Sequence, residues 1–324
     1  MDFPRTLFEF QSRFATEEAC RGYLAALRWP DGFRCPRCGM ESRNFSESRL
    51  LWVCKLGHQT SITADTVMHR THLSLRHWFW AAWLQTTQTP GVSSVVLARQ
   101  IGVHQESAYM MLQRLRAGLV NPESTQLTGK VEIDESFISA GRTHRRVRRG
   151  RGSGKPIVVG AVEVRGDNGE YAGRVRMRRI HAASGPELMS FITKHVAKGA
   201  TIYTDGWKAY QNLPAYGYNH NTVKGESSVD VARQLVHIHR VFSNLKAWLI
   251  GTHHGVSSKH LQAYLSEFGY RYNHRANPMR SFMKALGISS HVEGPEYEEL
   301  YDVGEPDGWV HSKPTEGAPQ GVGR

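Results

Sequence analysis

Cysteine, acidic charge and long apolar runs are all scarce in this chain of 324 residues. Four cysteines in such a length exclude a disulfide-stapled scaffold, and three of them fall between positions 35 and 54, the pattern of a metal site in a reducing compartment. Asp and Glu number 29 against 41 Lys and Arg, a formal charge of +12, which excludes an acidic, self-solvating chain and calls for a polyanionic partner. Charge alone does not separate nucleic acid from a membrane surface or a ribosome. The strongest apolar run, Trp78 to Leu84, is far short of the roughly 20 residues that a bilayer crossing needs. The N-terminal residues do not read as a signal peptide. The expectation is therefore a cytoplasmic protein that is not inserted in a membrane. No internal repeat is visible.

What is present divides into five stretches. Residues 1–30 carry Phe8, Phe14, Cys20, Tyr23, Leu24 and Leu27 at helical spacing and end at Pro30. Residues 31–71 are rich in turn formers and hold the remaining cysteines. Residues 72–120 read as helices interrupted at Pro90-Gly91. Residues 129–287 alternate β-branched runs with amphipathic helices, the signature of an α/β domain with a mixed sheet. From 288 to 324 Phe, Ile and Leu become sparse, and a loosely ordered tail is expected.

Cys35-Pro36-Arg37-Cys38-Gly39 has the form of a zinc knuckle: two thiolates three residues apart clasp one tetrahedral ion, and the glycine permits the tight turn beneath it. A ribbon needs a second pair of ligands, and no cysteine follows Cys54 at the matching position. Cys54 with His58 completes a Cys3His set; the alternative is a decayed ribbon with three effective ligands. Cys20 lies in the apolar stripe of the first helix and reads as core.

Ser93 to Leu119 reads as helix, break at Gly102-Val103, helix. A glycine in the turn and polar residues opening the second helix (His104, Gln105, Glu106, Ser107) fit a helix-turn-helix that contacts DNA, with an ordinary helical hairpin as the plain alternative.

Two acids stand out. Val131 to Phe137 is an apolar strand with Asp134 inside it, and Ala200 to Trp207 is a second with Asp205 at its end. A lone carboxylate buried in a strand is costly unless it is paired or bound to metal. Between the two lie strand-like runs at Ile157–Val164 and Arg174–Ile180 and a helix from Pro186 to Val196. That order (strand with Asp, two strands, helix, strand with Asp) is how an RNase H-like sheet brings two aspartates side by side, and two such carboxylates can hold two divalent ions about 4 Å apart. Arg142, Arg145, Arg146, Arg148, Arg149, Arg151 and Lys155 crowd between the first two strands, a dense one-sign loop suited to binding phosphates without reading sequence.

The segments Cys35–Gly39, Gly57–Ser61, Val131–Glu135, Tyr203–Gly206, Gly251–Ser257 and Lys259–Phe268 together resemble bacterial insertion-sequence transposases of the DDE type that carry an N-terminal zinc ribbon, over about residues 14–275. The resemblance implies an RNase H-like core that cuts element ends and joins their 3′-hydroxyls to target DNA, using two Mg²⁺ or Mn²⁺ ions, with Zn²⁺ as a structural ion. It implies double-stranded DNA as partner, both terminal inverted repeats and target, and a homo-oligomer assembled on it. A domesticated, non-catalytic DNA-binding protein is the alternative. Many relatives take their third metal ligand from a glutamate seven residues before a lysine; here that spacing from Lys246 selects His239. On a helix His239, Ser243 and Lys246 share a face, placing Lys246 to neutralise a phosphate, whereas Asn244 points about 140° away from His239. Asn244 stays as the second candidate, because the family admits asparagine at this position.

Overall fold

The computed structural model describes residues 4–119, 125–138, 155–223 and 234–289. The arginines at 142–151 and the tail from 290 lie outside the described residues. The chain divides into two compact units, residues 4–119 with 277–289, and residues 125–276.

In the first unit, helices α1 (Leu7–Arg13) and α2 (Glu17–Arg28) each start at a threonine, Thr6 and Thr16, whose hydroxyl accepts a first-turn amide. Cys20, Tyr23 and Leu24 are buried, as the spacing predicts, whereas on α1 it is Phe10 that is buried and Phe8, 83% exposed, does not join the core. A three-stranded antiparallel ribbon follows, β1 (Ser42–Ser46), β2 (Leu51–Cys54) and β3 (Gln59–Ser61). Next come α3 (Leu75–Thr87), α4 (Ser94–Ile101) and α5 (Gln105–Gly118). Glu17 of α2 accepts the amides of Leu75 and Arg76, so a carboxylate from one helix caps the start of another. Gly102, in the left-handed region at φ 69°, closes α4 and allows α5 to begin three residues later. The helical break expected there is present, with His104, Gln105 and Glu106 exposed.

Residues 278–287, which the sequence pattern carries into the α/β domain, belong instead to this first unit. They form most of α9 (Pro278–Ser289), whose Phe282 and Leu286 are fully buried in the cluster with Phe10, Phe14, Phe79 and Trp83. The ring of Phe282 lies 5.4 Å from those of Phe10 and Trp83. The apolar face of α9 complements aromatic residues more than 190 positions earlier in the chain, a pairing that no local pattern encodes.

The second unit is the expected mixed sheet flanked by helices. Its strands are β4 (Lys130–Phe137), β5 (Ile157–Arg165), β6 (Tyr171–Ile180), β7 (Thr201–Thr204) and β8 (Asn219–Thr222), in the order β6-β5-β4-β7-β8. The β4–β5 and β5–β6 pairs are antiparallel, whereas β4–β7 and β7–β8 are parallel. Alternation along β4 and β5 sends Val131, Ile133, Val159 and Ala161 to one face, against α6 (Gly185–His195). Val158 and Val162 go to the other, against α7 (Val236–His253) and α8 (Leu261–Asn273). The outer edge of β6 is closed by side chains of α8: Asn273 both accepts from and donates to the Val175 backbone, and Gln262 accepts the Arg179 amide. Glu163, 3% exposed, gathers the Arg174 and Arg165 guanidiniums and the Thr128 amide. Burial alone would raise its pKa, but these donors hold it at about 2. Among the described residues no helix is long and apolar enough to cross a membrane.

Candidate active site and metal centre

The ribbon brings Cys35, Cys38, Cys54 and His58 together, with their donor atoms all within 4.8 Å of one another. Gly39 and Gly57, at φ 70° and 83°, make the two turns that fold the knuckles back; their amides donate to the carbonyls of Cys35 and Cys54. The Sγ atoms of Cys38 and Cys54 are 3.7 Å apart, and Nδ1 of His58 lies 3.3 Å from Cys38 Sγ and 3.7 Å from Cys35 Sγ. Two sulfurs bound to one tetrahedral zinc are separated by about 3.8 Å, so the spacing suits that ion and uses His58 through Nδ1. The His58 amide also donates to Cys54 Sγ at 3.3 Å, which favours the thiolate. Cys20 stays apart, buried, with its Sγ 3.9 Å from the Phe14 carbonyl oxygen, and burial pushes its thiol up to about 12.

The expected outcome of metal analysis is one zinc per chain, lost on Cys38→Ala. Chelation should unfold the ribbon, because binding on the order of 10 kcal/mol is the folding energy of such a site. Purified protein that is zinc-free and still shows a cooperative melt of its N-terminal region would overturn this.

In the α/β unit the β4–β7 register pairs Lys130 with Thr201 and Glu132 with Tyr203. Two residues further along, the same register sets Asp134 beside Asp205, which follows the last residue of β7. An Asx turn orients Asp205, its Oδ1 accepting the Trp207 amide at 3.0 Å. Gly206 makes that turn at φ 80°, and a Cβ there would meet Thr222 at 2.5 Å. From the helical face, Nε2 of His239 lies 3.8 Å from Oδ2 of Asp134. That nitrogen is buried and, among the described residues, has no hydrogen-bond partner. Because α7 is continuous from Val236 to His253, Asn244 is turned about 140° from His239, and it is exposed. Lys246 shares the His239 face.

The electrostatics agree with this convergence. Burial first, then the neighbouring Glu135 charge and the Asp205 charge, push Asp134 up to about 7. His239 is lowered by burial and next by the Lys246 ammonium. Lys246 is itself lowered by burial, with Asp134 opposing and Lys155 adding to the fall. Lys155, at the end of the basic segment, is thus near enough to Lys246 for the two charges to be felt. Arg145, Arg146, Arg148 and Arg149 are outside the described residues.

Several residues of the site escape sequence reasoning. The Tyr210 hydroxyl, buried on the α6 face, donates to Glu135 Oε1 at 2.8 Å. Glu132, 5% exposed, accepts the Ile238 amide at 2.8 Å. Its position two residues before Asp134 on the same strand face was the available signal. Trp207 packs on the α6-side core and donates from Nε1 to the Ala183 carbonyl. Glu267 of α8 is fully buried; Arg271, one helical turn on, lies 3.6 Å away and makes that burial tolerable.

Residues 126–273 match the family described as ISXO2-like transposase domain, and residues 15–56 match the transposase zinc-ribbon domain. A Halobacterium salinarum protein, described as an uncharacterized protein in transposable element ISH50, is 26% identical over 294 residues, covering 84% of this chain and 96% of that one. Among solved structures, a chain of the simian T-cell lymphotropic virus intasome in complex with PP2A regulatory subunit B56 gamma aligns at 12% identity and a TM-score of 0.29. The alignment spans 57% of this chain and 66% of that one, a likeness too slight to bear on fold or function.

Proposed function

We propose that this chain, which belongs to the insertion-sequence transposases with an N-terminal zinc ribbon, cuts the ends of its element and joins the freed 3′-hydroxyls to target DNA at a site built from Asp134, Asp205 and His239. The observation that carries the reading is the convergence of three donors from separate elements. Asp134 and Asp205 are aligned by parallel register, and an unpartnered, buried imidazole nitrogen lies 3.8 Å from Asp134. A buried nitrogen without a partner is costly, and so is a desolvated carboxylate facing it; a divalent cation between them would relieve both. Mg²⁺ or Mn²⁺ held there would supply an activated attacking oxygen and stabilise the departing one. The protein's own part is to hold the donors and to set Lys246 and Lys155 where a phosphate's charge needs neutralising. His239 is the third ligand in this reading, and Asn244 is not.

The helix-turn-helix of α4 and α5 would recognise the terminal repeats, and two or more copies would assemble on paired ends. A non-catalytic DNA-binding role has one observation in its favour, the imidazole at the position where many relatives carry glutamate. Incubating the full-length protein with end-labelled DNA bearing the element's termini and Mn²⁺ separates the two. Nicking at the element boundary followed by strand joining is expected, and binding without nicking would refute the enzymatic reading.

The basic loop supplies affinity without sequence discrimination. Replacing Arg145, Arg146, Arg148 and Arg149 by Ala should weaken binding to all duplexes alike. It should also flatten the salt dependence by up to about 0.9 in log–log slope for each phosphate left without its arginine. A slope equal to wild type would show that the loop does not touch DNA.

A further inference from the structure

We infer that Glu132 is a positioning residue, whose buried carboxylate caps the first turn of α7 and thereby sets where His239 meets Asp134. The inference rests on the reading of His239 as metal ligand. Helix α7 begins without help from its own N-cap: Leu235 has no side chain that can accept an amide. The orphan donors turn instead to β4, where Glu132 Oε2 accepts from Ile238, with the His237 amide also directed at the carboxylate. A negative group at a helix start is favoured by the helix dipole as well. His239 is the next residue after Ile238, so fixing that amide fixes the rotation of the turn that carries the imidazole.

A second feature sets the distance. Gly160, the register partner of Asp134 across β4–β5, lies under α7, and a Cβ there would meet Ile238 Cδ1 at 2.9 Å and Phe242 Cζ at 3.0 Å. The missing side chain lets the helix approach the strand. His237 adds a third tether, its Nε2 lying 2.8 Å from the Gly169 carbonyl oxygen. Rotation and spacing are thus both defined from the sheet. The same device occurs in the first unit, where Glu17 caps α3.

The test is Mn²⁺ binding to the full-length, zinc-loaded protein by calorimetry, read beside amide hydrogen exchange of residues 237–241. Glu132→Gln keeps an acceptor oxygen and should bind Mn²⁺ as wild type does. Glu132→Ala should bind about tenfold more weakly or worse, the usual cost of losing a group that orients a ligand, and its first α7 turn should exchange faster. Gly160→Ala should weaken binding while Glu132 is intact, and it carries the test with Glu132→Gln if Glu132→Ala does not fold. The inference is overturned if Glu132→Ala or Gly160→Ala binds like wild type. It is equally overturned if Glu132→Gln is as weak as Glu132→Ala, which would make the charge itself a ligand. His239→Ala separates the two levels. Wild-type affinity in that variant removes the ligand reading and this inference with it. Weak binding there alongside normal Glu132→Ala removes the inference alone.

Discussion

Asp134→Asn and Asp205→Asn proteins should bind element-end DNA about as well as wild type and cut it at least about a thousandfold more slowly, the upper scale for losing one preorganised electrostatic group. Both changes preserve shape while removing the charge that would hold metal. Asp134 adds a consequence for stability. Its folded pKa is raised from 3.8 to about 7, chiefly by burial. Between those values the folded, metal-free protein holds a proton that the unfolded chain has released. Stability on this account is fully present below about pH 4 and falls as pH rises towards 7. Metal-free Asp134→Asn, having no such group, should therefore melt higher than wild type at pH 8. Loss of cutting with a gain in thermal stability is the signature of a charge retained for chemistry. Substantial Mg²⁺-supported cleavage by either mutant would contradict the assignment.

The second large effect is expected at His239. His239→Ala should lose most cleavage, His239→Glu should retain or raise it in Mg²⁺, and Asn244→Ala should behave as wild type. Wild type should work better in Mn²⁺, which accepts an imidazole nitrogen more readily than Mg²⁺ does. Cleavage should fall as the pH drops below about 7, the range in which Asp134 takes up its proton. The His239 pKa is lowered by burial and by Lys246, so its imidazole stays neutral into acid, whereas Asp134 takes up its proton near pH 7. His239→Glu should thus not move the acid limb to lower pH, and raising the Mn²⁺ concentration should move it lower, because metal and proton compete for one carboxylate. Rate–pH profiles at two metal concentrations decide this. An Asn244→Ala protein that is dead beside an active His239→Ala would reverse the ligand assignment.

The aspartates were legible because each falls where an apolar strand pattern meets acidic residues: Asp134 inside β4, beside Glu132 and Glu135, and Asp205 directly after β7. The candidate metal group of Cys35, Cys38, Cys54 and His58 was legible because a knuckle is a local motif. Strand β8 was not, since Asn219-His220-Asn221-Thr222 has no apolar alternation; it is held to β7 by the parallel backbone ladder and by His220 Nε2, 2.9 Å from the Thr204 hydroxyl. Glu132 was hidden for a different reason. Its partner is a backbone amide over 100 residues away, and amides leave no trace in sequence. Phe8 shows the opposite error: its spacing fits the apolar stripe, yet its side chain faces water. Local chemistry can be read along a chain, whereas the far partner of a buried group cannot.

The return of α9 to the first unit makes the α/β unit a guest inserted into its host. Among the described residues the guest is joined to its host at two places in the chain, between residues 119 and 125 and at residue 276, rather than strung after the host on one. A single protease nick at either of these places would leave the two units covalently joined through the other. A fragment stopped at Leu119 would lack Phe282 and Leu286 and so carry a hole in its aromatic core, at a cost of several kcal/mol by the usual scale of large-to-small core deletions, about 3–5 for one phenylalanine. The host can be made whole without its guest only by splicing residues 277–289 back on. Among the described residues the first unit is completed last, by a helix that follows every strand of the β6-β5-β4-β7-β8 sheet.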